Sequence, residues 1–238
     1  MKLGIMQPYF FPYAGHFALI AAVDEWIVFD VTQYTPKTWM NRNRILHPKE
    51  GWQYVSVPLA NSSINIKTHE ARVLDVAAAR SSLLGKLSAF RQAPRYAQVK
   101  RLVEDAFARV RTDSLCELNT HALATVCEYL GLPFRHRLCS QLGLHFPADM
   151  EPGQWAPFVC AALGASAYVN PAGGRELFDP ADFARIGVEL QFAEFDELRY
   201  APAPWRYEPH LSILDVLLWN DASQVADALR SHTQLCLP

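Results

Sequence analysis

The architecture is most strongly predicted by residues 1–30, MKLGIMQPYFFPYAGHFALIAAVDEWIVFD. Residues 3–6 form a short apolar run, and the prolines that follow exclude a helix there. Helical spacing of apolar residues begins at His16, and residues 25–30 are rich in the β-branched and aromatic types of a buried strand. A strand, loop, helix and strand in this order form a βαβ unit. Such units build a parallel sheet that helices cover on both faces.

The rest of the chain extends this α/β pattern. Residues 30–45 are predicted to be a polar loop, residues 52–59 a strand, and residues 75–131 are helical throughout. Further strands are predicted at 137–139, 167–170 and 188–192, a helix at 155–163, and a closing helical pair at 212–219 and 223–231. We therefore expect a single α/β domain over 1–238. It would have a mainly parallel Rossmann-like sheet, a helical insertion at 75–131 and a C-terminal helical pair.

The composition is that of a globular protein. Of 238 residues, 50% are hydrophobic and 19% are charged, a balance that excludes global disorder. The formal net charge of -2 argues against a general electrostatic grip on nucleic acid, so we expect no nucleic-acid partner. Five cysteines are scattered without a CxxC pair, and the histidines form no HxH or HExxH motif. A disulfide framework and a metal site are therefore not predicted.

The N-terminus does not resemble a targeting segment. Its apolar run is interrupted at Gln7 and by the prolines, so we expect no signal peptide. No apolar run is long enough to span a bilayer. With reduced cysteines, these features predict a cytoplasmic protein without a membrane span. The sequence has neither a P-loop nor a GxSxG elbow, and the cofactor is left unknown.

The loop after the first strand is the first candidate site. In an α/β sheet, a loop that leaves the carboxyl end of a strand opens onto the ligand crevice. Gln7 and Tyr9 would line that crevice, and Gly15 would let the backbone approach a ligand at the helix N-terminus. His16 and Asp30 are the candidate catalytic residues for proton transfer. Alternatively, the aromatic residues cover the sheet edge and His16 only caps its helix.

The second candidate is the cationic segment KTWMNRNR (residues 37–44). Arginine forks bind carboxylate or phosphate, asparagine suits sugar hydroxyls, and tryptophan packs on a ring. The candidate substrate-binding residues are Lys37, Trp39, Asn41, Arg42 and Asn43. The segment follows the second strand, so we expect it on the same sheet edge as Gln7 and His16. A solvated basic loop with Trp39 in the core is the alternative.

The third candidate is the glycine turn of YVNPAGGR (residues 168–175). A strand, a tight turn and an arginine at a helix start suggest an anion cradle made by Gly174 and Arg175. A plain turn is the commoner explanation of two adjacent glycines. We expect this turn to form one wall of a crevice with the segment 37–44.

Asp215 lies within an apolar helical stretch, so we expect it to be partly buried. A buried carboxylate needs a partner, and Arg42, Arg44 or Arg175 would supply one. A structural ion pair and a catalytic role are both open for this residue.

Three segments resemble the N-terminal signature of the WbqC-like family. They are MQPYFFPYAGHFALI (6–20), VDEWIVFDVTQY (23–34) and WMNRNRI (39–45), and HLSILDVLLWN (210–220) is similar to the family's closing helix. The resemblance implies a transferase in the assembly of bacterial O-antigen and other surface glycans. It would act on an amino-sugar nucleotide or on an activated acyl or amino-acyl donor.

A second, partial resemblance concerns the tetrad YAGH (13–16). It is similar to the HxGH signature of the nucleotidyltransferase superfamily, with Tyr13 in place of the first histidine. The resemblance implies nucleotidyl transfer as an alternative function. A third possibility is a non-catalytic module that binds a sugar nucleotide or a carrier protein. We expect the partner to be a small anionic substrate such as a sugar nucleotide, with an acyl carrier protein as the alternative.

Overall fold

The computed structural model covers residues 1–238 and shows an α/β fold with a mostly parallel six-stranded sheet. The strands are β1 (Lys2–Met6), β2 (Glu25–Val28), β3 (Arg42–Leu46), β4 (Trp52–Ser56), β5 (His136–Leu138), β6 (Ala167–Pro171), β7 (Glu189–Phe195) and β8 (Thr233–Cys236). The α-helices are α1 (Ala14–Ala21), α2 (Val76–Leu87), α3 (Tyr96–Ala108), α4 (Leu115–Leu130), α5 (Trp155–Leu163), α6 (Pro180–Ala184), α7 (Ile213–Trp219) and α8 (Ala222–Ser231).

The sheet has the strand order β5-β2-β1-β6-β7-β8. All neighbours are parallel except β7 and β8, which are antiparallel. After β1, the strands β2 and β5 are added on one side of β1. The later strand β6 is added on the other side, so the strand order reverses at β1. Ligands of open α/β sheets bind outside the carboxyl ends of the strands near such a reversal. The predicted Rossmann-like α/β class is therefore confirmed.

Alternation along β1 and β2 places a separate core on each face of the sheet. Leu3, Ile5 and Ile27 belong to the smaller core, which packs against α5. Trp26 belongs to the larger core on the other face, with most of the remaining helices. Gly4 allows this packing, because a Cβ there would lie 2.9 Å from the indole of Trp26. Burial on both faces explains why these strands are almost wholly apolar.

Helices α2, α3 and α4 occupy the segment that was predicted to be helical. Ser114 caps α4 by accepting a hydrogen bond from the backbone N–H of Glu117. Gly131 ends the helix with φ 65°, a left-handed conformation that glycine adopts without strain. The description of this segment as an insertion within a single domain stays a prediction. None of the helices combines the length and apolar character needed to cross a bilayer.

Two strands differ from the prediction. Residues 30–45 were expected to be a loop throughout, but Arg42–Leu46 forms β3 and pairs antiparallel with β4 in a separate two-stranded sheet. Its polar side chains hide the strand pattern, because Asn43 is buried through hydrogen bonds rather than apolar packing. The edge strand β8 was also missed. It is short and mostly exposed, so it carries little apolar periodicity.

Candidate functional site

A crevice opens at the carboxyl ends of β1, β2 and β5. It consists of two cavities of about 630 and 880 Å³ that share the residues His69 and Ser140. Asp30 lines the smaller cavity, and Gln7 lines the larger one. We call these two cavities together the sheet-edge crevice. Its position agrees with the site expected from the strand order.

Asp30 is a buried carboxylate whose oxygens are held by the turn after β5. It follows β2 and is 1% exposed. Ser140, in the 3₁₀ turn Cys139–Gln141, donates its backbone N–H to Asp30 Oδ1 at 2.8 Å and its Oγ–H to Oδ2 at 2.6 Å. Buried charges persist only with such hydrogen bonds. Asp30 therefore joins the ends of β2 and β5 in one rigid unit.

His69 reaches the crevice from the 3₁₀ turn Thr68–Glu70. Its backbone N–H donates to the carbonyl oxygen of Asp30 at 2.9 Å, and its ring Nδ1 lies 3.0 Å from the same oxygen. Since a carbonyl oxygen only accepts, Nδ1 must carry the hydrogen. The neutral ring then has its lone pair on Nε2. His69 is thus a crevice residue that can accept a proton.

The larger cavity combines a polar wall with an apolar one. Gln7 Nε2 donates to Thr32 Oγ1 at 3.1 Å, which fixes the amide of Gln7 at the end of β1. The apolar wall includes Phe29, Val31, Ile64, Phe146, Trp155 and Leu177. Lys67 lies at the same cavity, and its ammonium group forms no ion pair, although its backbone N–H donates to the carboxylate of Glu70 at 2.6 Å. This combination suits a ligand with an apolar part and an anionic group.

Burial disfavours the thiolate form of the cysteines beside the crevice. All five are free, and four of them are buried. Burial, followed by the neighbouring charge of Asp30, raises the pKa of Cys116 far above its usual range. The same two causes raise the pKa of Cys139 to about 12. Both groups remain thiols at neutral pH, and the thiolate is the reactive form.

His16 lies in the core rather than in the crevice. It is part of α1 and 2% exposed, with the rings of Tyr9, Trp26 and Phe17 around it at centroid distances of 5.5, 5.0 and 6.2 Å. Burial lowers its pKa to about 3, and its Nε2 has no hydrogen-bond partner. It lines neither cavity of the sheet-edge crevice, whereas Asp30 lines the smaller one. The structure therefore does not bring the two predicted catalytic residues together.

The glycine before His16 also serves packing. A Cβ at Gly15 would lie 2.4 Å from the ring of Tyr13. The ring of Tyr13 thus covers the N-terminus of α1, where an approaching ligand was expected. Gly15 is required there by a neighbouring side chain.

The segment 37–44 lies at another cavity, which we call the aromatic cavity. Its volume is about 320 Å³, and it is lined by Tyr9, Pro12, Tyr13, Trp39, Asn43, Arg44 and His210. Of the predicted binding residues, the structure brings Tyr9, Trp39 and Asn43 together here. It does not place them in the same cavity as Gln7 and Asp30.

The other predicted residues of the segment lie beside this cavity. Lys37 is exposed, and Asn41 Nδ2 donates to the carbonyl of Val57 at 3.2 Å. Arg42 stacks on the ring of Tyr54, with its guanidinium carbon 4.2 Å from the ring centre. These contacts hold the hairpin of β3 and β4 together. They do not point the three side chains to a common ligand.

Gly174 and Arg175 lie in the 3₁₀ helix Ala172–Leu177 after β6. Arg175 forms an ion pair with Glu194 at 2.7 Å and donates to the carbonyl of Leu237 at 3.2 Å. A Cβ at Gly174 would lie 2.0 Å from Nδ2 of Asn170. Neither residue lines the sheet-edge crevice or the aromatic cavity. The expected common wall with the segment 37–44 is not formed at these cavities.

Asp215 is buried as expected, but the predicted arginine partner is wrong. It is 0% exposed, and its carboxylate accepts from the backbone N–H of Leu46 and from the hydroxyl of Tyr200, each at 2.8 Å. Burial raises its pKa to about 6. The backbone amide and the phenol are the hydrogen-bond donors to Asp215, in place of the arginine that was expected. The amide is available because β3 passes directly beside α7.

Sequence reasoning missed His69 and Ser140, and it named Arg44 as a cation of the segment 37–44 without counting it among the binding residues. His69 lies in a turn-rich segment without a motif, and it meets Asp30 from 39 positions away. Ser140 is 110 positions from Asp30. A signal existed only for Arg44, which stands within the cationic segment that was singled out.

Comparison with known proteins gives a family but no established activity. A family model described as the WbqC-like protein family matches residues 7–227. The chain is also 28% identical over 233 residues to the uncharacterized protein Rv1507c of Mycobacterium tuberculosis, covering 96% of this chain and 97% of that protein. No solved structure matches it. Since the family model spans nearly the whole chain, this protein belongs to the WbqC-like protein family.

Proposed function

We propose that the protein is a transferase of bacterial surface-polysaccharide (O-antigen) biosynthesis. It transfers an acyl or amino-acyl group from an activated donor, or acts on an amino-sugar nucleotide, in the sheet-edge crevice. The biosynthetic role is what the resemblance to the WbqC-like family implies, and the model of that family matches residues 7–227. The chemistry is supported by one observation, the unit in which Asp30 orients both Ser140 and His69 at a crevice.

His69 supplies the acid–base group in this proposal. In acyl transfer, an amine or hydroxyl of the acceptor attacks the acyl carbon, a new bond forms there, and the bond to the leaving group breaks. The attacking group loses one proton, which Nε2 of His69 accepts and then returns to the leaving group. The carbonyl of Asp30 keeps Nδ1 protonated during this exchange, because it offers only an acceptor.

Nucleotidyl transfer receives less support from the geometry. It would require the histidine of the YAGH tetrad to reach a phosphate. His16 is instead 2% exposed and uncharged at neutral pH, since burial lowers its pKa to about 3. A non-catalytic binding module would bind the same ligands without converting them. A turnover assay therefore distinguishes it from a transferase.

The first test is ligand binding. The purified protein is screened by thermal shift against sugar nucleotides, acyl thioesters and nucleoside triphosphates. A ligand at about one hundred times its dissociation constant stabilises the folded state by about 2.7 kcal/mol, which is easily detected. Release of pyrophosphate from a triphosphate with magnesium would favour nucleotidyl transfer. Binding without turnover would favour a binding module.

The second test is His69→Asn. Asparagine keeps an N–H donor for the carbonyl of Asp30 but has no basic nitrogen. We expect ligand binding to persist and turnover to fall about 10²–10⁴-fold, the usual contribution of a general base. His145→Asn is the matched control, because His145 is exposed and does not line the sheet-edge crevice. Undiminished turnover in His69→Asn would rule out the proposed base.

A further inference from the structure

We propose that the aromatic cavity is a second ligand site, separate from the sheet-edge crevice, which binds a small organic anion. The ligand class is a single planar or sugar ring that carries one carboxylate or phosphate. Arg44 would hold the anionic group, and the rings of Tyr9, Tyr13 and Trp39 would pack against the ligand ring. This site does not depend on the reaction proposed for the crevice.

Arg44 is a cation without a carboxylate partner. Its guanidinium lies between two indoles, with its central carbon 5.4 Å from the ring centre of Trp39 and 4.9 Å from that of Trp52. Its only hydrogen bond is donated by Nη2 to the carbonyl of His210 at 3.3 Å, and its buried Nε has no partner. Cation–π contacts orient the charge but do not neutralise it. The cavity therefore presents a fixed positive charge with unused N–H donors.

The neighbouring charges favour an anion. Lys37 and Arg42 lie on the same segment, and neither has a carboxylate within 4 Å. Glu197 is the acidic residue beside His210: its carboxylate lies 3.4 Å from the ring Nδ1 of His210, accepts the backbone N–H of His210 at 2.6 Å and bonds to Tyr207, so its contacts are with these two residues and not with Arg44. No carboxylate is thus directed at Arg44, so an incoming anion does not have to displace an ion pair.

The indoles around Arg44 are unusually open to solvent. Trp39 and Trp52 are each 40% exposed, although tryptophan burial would favour folding. Exposed aromatic faces beside a cation are typical of surfaces that bind rings. The cavity volume of about 320 Å³ is at the lower end of the range for small-molecule pockets, roughly 300–1,000 Å³. That size suits one ring with its anionic group and excludes a dinucleotide.

Backbone strain is concentrated around this cavity. The chain has three non-glycine residues with positive φ, which are Phe11 at 39°, Lys37 at 59° and His210 at 56°. Each belongs to one of the three segments that line the cavity. Such conformations are strained, and they cluster at ligand sites, where the surroundings enforce them.

Buried hydrogen bonds hold the three segments in place. Asn43 Nδ2 donates to the carbonyls of Phe10 and Phe11 at 3.1 and 3.0 Å, which ties the cationic segment to the opening loop. Ser212 Oγ donates to the same carbonyl of Phe11 at 2.7 Å, which ties in the segment of His210. A cavity shaped in advance loses less entropy when it binds a ligand. The aromatic cavity therefore combines the charge of Arg44, exposed aromatic rings and a rigid backbone.

The test is a titration with defined probes. Benzoate and glucose 1-phosphate carry the two anionic groups, and benzamide and glucose are their uncharged counterparts. Binding is followed by tryptophan fluorescence and by calorimetry, at probe concentrations up to about 10 mM so that millimolar affinity is detected. We expect at least one anionic probe to saturate and both uncharged probes to bind more weakly. Saturation by benzoate alone would indicate a carboxylate ligand, and by glucose 1-phosphate alone a phosphorylated sugar.

Variants locate the bound probe. Arg44→Gln should weaken binding roughly tenfold or more, as expected for a lost charge-assisted hydrogen bond. Arg80→Gln removes an equal charge from an exposed position of α2 and should bind as the wild type does. If Arg44→Gln fails to fold, Trp39→Leu is used, since Trp39 is 40% exposed. The proposal is overturned if no anionic probe saturates, or if the site variant that is measured binds the anionic probe with wild-type affinity.

Discussion

Asn119, in the N-terminal half of α4, donates its side-chain amide to the carbonyl of Pro8 at 2.8 Å and to that of Met40 at 2.7 Å. It is 0% exposed. Pro8 lies in the opening loop, between the sheet-edge crevice and the aromatic cavity. Met40 lies in the cationic segment. One buried amide thus fastens a helix of the central helical segment to both binding loops. This helix is a rigid support for the loops.

Asn119→Ala should destabilise the fold by about 2–4 kcal/mol, since two buried carbonyls lose their donor. Equilibrium unfolding in urea measures the change. Asn65→Ala serves as the control, because Asn65 is exposed and should change stability by less than about 0.5 kcal/mol. A loss in Asn119→Ala no larger than in the control would show that the amide does not brace the loops.

The elements that the sequence predicted well are those whose signal is local. The apolar runs of β1 and β2 and the prolines after β1 act within a few residues, so pattern and sterics suffice. The strand β3 was missed because Asn43 is buried by bonds to Phe10 and Phe11, more than 30 positions earlier. Such partners exist only in the folded chain.

The candidate site was less predictable for the same reason. Gln7 and Asp30 follow strands, and their place at the sheet edge could be inferred from topology. His69 gains its role from the carbonyl of Asp30, and Ser140 from the carboxylate of Asp30. His16 shows the reverse case, because a histidine in a promising motif lies in the core.

His16→Phe should remove a source of acid sensitivity. The folded-state pKa of about 3 is below the unfolded value of about 6.5, so between these values only the unfolded chain binds the proton. Wild-type stability then falls as pH decreases below 6.5, by about 1.4 kcal/mol per pH unit from this group. Urea unfolding at several pH values should show a shallower slope in the variant.

The same variant tests the role of His16 in catalysis. If His16 is a core residue, His16→Phe keeps its turnover at neutral pH once the crevice reaction is identified. His145→Phe, at an exposed position, is the control for the pH slope and should leave it unchanged. An unaltered acid sensitivity, or a large loss of turnover in a folded His16→Phe protein, would contradict the core assignment.

Ser140→Ala should weaken the unit around Asp30. The change removes the hydroxyl bond at 2.6 Å and leaves the backbone N–H of residue 140 as a donor. A hydrogen bond to a charged group contributes about 1.5–3 kcal/mol, and we expect a loss of that size in urea unfolding. A double-mutant cycle with Asp30→Asn checks the origin of the loss. If the two effects are simply additive, the hydroxyl does not act through Asp30.

The pH dependence of stability that Asp215 causes is opposite to that caused by His16, and Asp215→Asn should remove it. Burial raises the folded-state pKa of Asp215 to about 6, above its ordinary value of 3.8, so between these values the folded chain binds the additional proton. Wild-type stability therefore falls as pH rises through this window, by about 3 kcal/mol in total from this group. The isosteric amide can still accept from the N–H of Leu46 and has no charge to bury.

The measurement for Asp215 is the difference in unfolding free energy between wild type and Asp215→Asn at several pH values. We expect the unfolding free energy of the wild type, relative to that of Asp215→Asn, to decrease steadily from about pH 4 to pH 6. Above pH 6 the difference should stay constant. Asp149→Asn is the matched control, since Asp149 is exposed, and it should change stability by less than about 0.5 kcal/mol at each pH. A difference that does not change with pH would mean that Asp215 has the same pKa in the folded and unfolded chains, which would contradict the raised pKa.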